Sequence, residues 1–76
     1  MKDNIFEAFV NRCRAEQDQL RDELQSYPPL GITRVWKGRS VDHLLDVTDE
    51  RVATIKHEIA RIEATIEFVI ALENAL

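Results

Sequence analysis

Residues 47–70 read VTDERVATIKHEIARIEATIEFVI, and within them Val52, Ile55, Ile59, Ile62, Ile66 and Val69 step alternately by three and four, with Glu73 and Leu76 completing the series. Spacing that averages about 3.5 residues keeps one seam of an α-helix turned toward a partner, the signature of coiled-coil packing. The start of this helix is equally legible. Thr48 can cap the first exposed amides, Asp49 and Glu50 place negative charge at the positive end of the helix dipole, and Val47 can reach Val52 as a hydrophobic staple. The expected helix runs over 49–75.

The same pattern recurs at the other end of the chain. Phe6, Val10, Cys13, Gln17, Leu20, Leu24 and Tyr27 alternate steps of four and three, with a polar Gln17 in the middle of the seam and Ile5 and Phe9 widening the apolar stripe. Residues 3–26 contain neither Gly nor Pro. Asp3 is the expected N-cap, Glu7 lies one turn later, and Tyr27-Pro28-Pro29 ends the helix because a proline pushes its predecessor out of the helical region and donates no amide. At ~1.5 Å per residue the two helices span about 36 and 40 Å. Two helices of matched length, each with one apolar stripe, are expected to fold back as an antiparallel pair. The reading is an all-α, coiled-coil-like two-helix hairpin forming one domain over 1–76.

That pairing sets Ile5, Phe6, Phe9 and Val10 beside Ile66, Phe68, Val69, Ile70 and Leu72, so the tip far from the connection is apolar on more than one face. A second copy would cover it, giving a homodimeric four-helix bundle. The expected oligomer interface is Ile5, Phe6, Phe9, Phe68, Ile70 and Leu72.

The insert, residues 28–47, is too long for an unstructured connector in a compact domain. Ile32-Thr33-Arg34-Val35-Trp36 is β-branched and aromatic, Lys37-Gly38 suits a turn, and Arg39-Ser40-Val41 can return as a second strand. The alternative is a helical turn starting at Ser40 that carries Val41, Leu44 and Leu45 onto the end of the bundle.

The Leu-spaced first helix, the Gly-containing insert, and Asp46-Val47-Thr48 followed by Val52, Ile55-Lys56, Ile59-Ala60, Ile62-Glu63 and Ile66 are similar to a family of short helical-hairpin proteins of rhizobia and other alphaproteobacteria. The resemblance covers residues 20–67. It implies a helical hairpin and carries no activity with it.

Composition narrows the function. Ten basic and fourteen acidic residues give a net charge of −4, the wrong sign for nonspecific binding to nucleic acid or a membrane surface. The longest uninterrupted apolar stretch, Phe68 to Leu72, is far short of the ~20 residues of a membrane span, and the N-terminal residues do not form a signal sequence. Cys13 is the only cysteine, which excludes an intrachain disulfide and fits a cytoplasmic setting. On the seam it is expected to act as a small buried hydrophobe. His57 and His43 lack the i, i+4 partners of a helical metal site, and no phosphate loop or nucleophile motif is present. Paired carboxylates such as Asp22-Glu23 and Asp49-Glu50 have no apolar wall to raise a pKa. Neither catalysis, a cofactor nor a metal is expected.

One region breaks the charge pattern. Residues 3–26 and 49–75 each carry six acids and three bases, whereas no acid occurs from Leu24 to Val41, where Arg34, Lys37 and Arg39 flank Trp36. If a strand forms, Arg34 and Trp36 share one face. Such a patch can grip a phosphorylated ligand, a nucleic-acid segment or an acidic partner. The alternative role for Trp36 is to cover the end of the bundle. The functional expectation is a small interaction or adaptor module acting as a homo-oligomer on one protein target. Ligand or nucleic-acid binding through Arg34, Trp36, Lys37 and Arg39 is the second reading, and a phage- or mobile-element-encoded inhibitor or antitoxin-like role the third.

Overall fold

The structure is a computed structural model that describes residues 4–76. Helix α1 runs over Ile5–Gln25 and α2 over Thr48–Ala75. Between them lie strand β1 (Trp36–Lys37), a 3₁₀ turn (Val41–His43) and strand β2 (Leu45–Asp46). The helices pack antiparallel, and the two strands form a small antiparallel sheet at the connected end. The helical hairpin with a hairpin-like insert is therefore observed.

Helix α1 begins where an extended Asn4 turns its side-chain oxygen back onto the Glu7 amide at 3.1 Å. Asn4, not Asp3, is the cap; Asp3 lies outside the described residues. The helix ends at Gln25, with the Ser26 hydroxyl donating to the Glu23 carbonyl at 2.6 Å. The chain then folds against this end, as the Gly31 amide donates to the Tyr27 carbonyl and the Thr33 amide to the Ser26 carbonyl, both at 2.8 Å. The Ser26 carbonyl stands where a β-carbon on Gly31 would go, so only glycine lets the two backbones approach this closely.

The seam matches its spacing residue by residue. Val10, Cys13, Gln17 and Tyr27 are buried on the first helix side, and Phe6, Leu20 and Leu24 are half-buried. On α2, Ile55, Ile62 and Ile66 are buried, with Val52, Ile59, Val69 and Glu73 half-buried between them. Leu76 departs from the series: it is 87% exposed, one residue past the helix and beyond the reach of α1. Gln17, 2% exposed, resolves its polar group by donating from Nε2 to the Ile59 carbonyl (3.1 Å) and to the Glu63 carboxylate (2.9 Å). A buried amide with partners on the facing helix locks the register, because a slip of one turn would orphan it.

The start of α2 corrects the expected cap. Thr48 is the first helical residue and fully buried, and it does not cap its own helix. The Asp46 carboxylate accepts from both the Thr48 amide (3.0 Å) and its hydroxyl (2.5 Å), while the Thr48 oxygen accepts from the Val35 amide at 2.9 Å. Threonine here ties the insert to the helix. Val47 and Val52, the expected staple, are both half-buried.

The insert also differs from its expected pairing. The returning strand is Leu45–Asp46, in register Trp36 with Asp46 and Lys37 with Leu45, and Arg39-Ser40-Val41 is not a strand. The Val47 amide extends the ladder to the Val35 carbonyl at 2.9 Å. A helical turn does follow Ser40, but it leaves Val41, Leu44 and Leu45 exposed instead of setting them on the bundle end. Gly38 permits the tight return, since the His43 carbonyl occupies the place of its absent β-carbon.

Candidate functional site

The hairpin has a closed end, where the insert sits, and an open end, where Ile5 and Leu72 face solvent. The closed end is built on two polar clusters. In the first, Arg51 makes a bidentate pair with Glu23, Nε to Oε2 at 2.8 Å and Nη2 to Oε1 at 2.9 Å, and the Tyr27 hydroxyl donates to the same carboxylate at 2.5 Å. These bonds hold the Glu23 carboxyl below its usual range, with Arg51 the largest cause and Tyr27 the second. The same contact raises the Tyr27 phenol, because ionising it would set two negative charges together. In the second cluster, the Thr48 hydroxyl and amide, then Arg34, lower the Asp46 carboxyl.

Arg34 is thus already engaged, its Nη1 lying 2.8 Å from Asp46 Oδ2. The acid-free run in the sequence stops at Val41, but strand pairing brings Asp46 back across to Arg34. Strand alternation sets Arg34 and Trp36 on one side of the sheet, as expected, together with Asp46, the cross-strand partner of Trp36. Lys37 and Leu45 take the opposite side, so Lys37 is parted from Trp36 across the sheet. Trp36 is 55% exposed and does not plug the bundle end. Lys37 and Arg39 are exposed and make no ion pair among the described residues.

The open end has a different chemistry. Ile5 is 80% exposed and Phe68 67%, and Phe9, Ile70 and Leu72 are also exposed. Phe6 is half-buried in the seam, unlike the other five residues of the expected interface. A shallow groove of about 270 Å³ runs between the helices, where Phe6 and Ile70 are rimmed by Asn11, Arg14 and Glu73. A second depression lies on the outer flank of α1, lined by Ile5, Ala8, Phe9 and Arg12. At about 100° per residue, Ile5, Phe9 and Leu72 project to one broad side of the antiparallel pair, with Phe68 at its edge, while Ile70 projects to the other. The six residues read from the sequence therefore divide among a seam position, one broad apolar face and one polar-rimmed groove.

The remaining titratable candidates are unremarkable in placement. Cys13 is buried in the cluster of Val10, Ile62 and Ile66, and His43 and His57 are exposed. Among the described residues no three His, Cys, Asp or Glu side chains are grouped to hold a metal ion, and no helix is long and apolar enough to cross a membrane.

Sequence reading missed the Glu23–Tyr27–Arg51 cluster. Glu23 and Tyr27 are one turn apart, which was a usable signal, but Arg51 is 28 positions from Glu23 and becomes its neighbour only when the helices dock. No family model, curated protein or solved structure matches this chain, so its function rests on the geometry of these two ends.

Proposed function

We propose that the chain is a small, non-enzymatic protein-interaction module that works as a homo-oligomeric helical bundle in the cytoplasm, with the open end as the contact and the insert left free for a protein target. The observation that carries this reading is the exposed apolar end. Ile5, Phe9, Phe68, Ile70 and Leu72 lie within three turns of one another on paired helices, a concentration that a monomeric surface rarely leaves in water. The shape supports it. The molecule measures 58 × 22 × 18 Å with a radius of gyration of 17.3 Å, against about 11 Å for a compact chain of this length. A hairpin one layer thick has no second layer to cover its flanks, and a second copy supplies one.

The ligand-binding reading keeps a narrower basis. Trp36 offers an exposed ring, and Lys37 and Arg39 are uncommitted cations, but the Asp46 carboxylate partly neutralises Arg34, the cation beside the ring. A phosphate would have to compete with that pair. An acidic protein segment stacking on Trp36 would not need Arg34 free.

Solution mass by light scattering across a dilution series tests the reading. A dimer that persists on dilution, and that Phe68→Glu weakens, is the expected result. A monomer at every concentration overturns it.

A further inference from the structure

Resting on that self-association, we infer that the contact is the single broad face bearing Ile5, Phe9 and Leu72, and that two copies meet there side by side, with both inserts at the same end. Area gives the first argument. The chain exposes 6374 Å², about 1,600 Å² more than the ~4,800 Å² expected of a compact monomer of its mass. Removed from both copies, that excess is about 3,200 Å², in the range of obligate homodimers and well above a transient contact. Overlap confined to the tips would leave most of it uncovered, so the faces meet along their length.

Symmetry gives the second. Two identical faces meeting about a two-fold axis can align with their long axes parallel or reversed. The apolar residues are gathered at the open end. Reversing one copy would lay its apolar tip on the other's polar insert end. Only the parallel arrangement lets the tip meet its own copy while the full faces overlap, and it stacks α1 of each copy on α2 of the other.

Charge gives the third. Within one hairpin, Gln17 is level with Ile59 and Glu63, and Glu23 with Arg51, which puts Glu16 level with Arg61. Glu16 projects to the broad face on α1; on α2, Arg61 lies at its edge, at the heptad position of Phe68, and is paired with Glu58 at the heptad position of Leu72. In the parallel arrangement Glu16 therefore opposes the Glu58–Arg61 pair of the second copy, with Arg61 the cation within its reach, twice over by symmetry. Arg61 is exposed and, among the described residues, pairs only with Glu58, on its own helix at 3.0 Å, so it is available for a second carboxylate. The other broad face places Arg14, Asn11 and Glu73 around Ile70 and has no comparable apolar centre.

The test joins mass to distance. Leu72→Glu is expected to give a monomer of unchanged helical circular dichroism, whereas Ile70→Glu stays dimeric. Arg61→Glu is expected to weaken the dimer by several-fold, and adding Glu16→Arg to restore it, which a purely intrahelical role for Arg61 would not produce. Spin labels at Lys37→Cys in a Cys13→Ser background are expected to lie within about 30 Å of each other, two to three interhelical spacings. A wild-type monomer removes the self-association itself. A dimer broken by Ile70→Glu and untouched by Leu72→Glu keeps self-association and overturns this face. Labels separated by the 58 Å length of the molecule or more overturn the parallel arrangement.

Discussion

The two ends of this hairpin are finished in different ways. At the closed end, three polar contacts tie separate segments of the chain together: Glu23 with Arg51, Thr48 with Val35, and Asp46 with Arg34. At the open end, among the described residues, no side-chain hydrogen bond links the helices beyond the Gln17 contact with Glu63, and large apolar side chains stand in water. The difference teaches where each surface has its complement. Directional bonds within the chain complete the closed end, whereas the open end presents non-directional apolar area that another layer must cover.

Breaking the seam that both ends share should have the largest effect. Ile62→Asp places an unpaired carboxylate among Val10, Cys13 and Ile66, costing about 3 kcal/mol or more. Loss of the cooperative helical melt by circular dichroism is expected; an unchanged melt would mean that the seam has been wrongly placed. Thr48→Val then opens the closed end alone. It keeps the shape but leaves the Val35 amide without a partner and takes one hydrogen bond from the Asp46 carboxylate, which keeps the residue-48 amide and Arg34, an expected loss of about 1–3 kcal/mol. Thermal melts measure that loss, and hydrogen exchange should show it concentrated at residues 34–51 while the amides around Val69 are unaffected.

A smaller effect sharpens the contrast through pH. Glu23 and Asp46 both have lowered carboxyl pKa values, so their contribution is complete above the ordinary carboxylate range and fades as pH falls through the lowered values. The melting temperature should drop below about pH 4.5, the ordinary value for Glu23. Glu23→Gln should remove part of that acid dependence and cost up to about 1 kcal/mol at neutral pH. Tyr27, with its pKa raised, contributes fully below its ordinary value and loses that contribution as pH rises through the raised one. An acid transition identical in Glu23→Gln and wild type would assign it to other carboxylates. Smallest of all is Trp36→Ala, expected to change stability by less than about 0.5 kcal/mol, since the ring is largely exposed and does not cover the core. A marked loss would return Trp36 to a covering role.

The seam was legible because burial on a helix obeys a fixed period. Phe6, Val10, Cys13, Gln17, Leu20, Leu24 and Tyr27 could be aligned from spacing alone, and each is buried or half-buried. The insert was less legible. Arg39-Ser40-Val41 and Leu45-Asp46 are both short and alternating, and a two-residue strand is selected by its ladder partners and not by its composition. Thr48 misled for a related reason. Its side chain suits a cap, but Asp46 two residues earlier takes the amide and frees the hydroxyl oxygen for Val35.

What the sequence by itself determined is local and periodic: two amphipathic helices, the proline stop after Tyr27, an antiparallel fold-back, and an open end richer in apolar residues than one hairpin can bury. These follow from dihedral preferences and from a repeat that one helix expresses alone. Tertiary structure alone decided which groups are satisfied. Arg34 is neutralised by Asp46, Glu23 is clamped by Arg51, Lys37 is parted from Trp36, and Ile70 is parted from Leu72. Each of those outcomes depends on a partner brought from another element or on the face an element turns outward, and neither is written in local spacing.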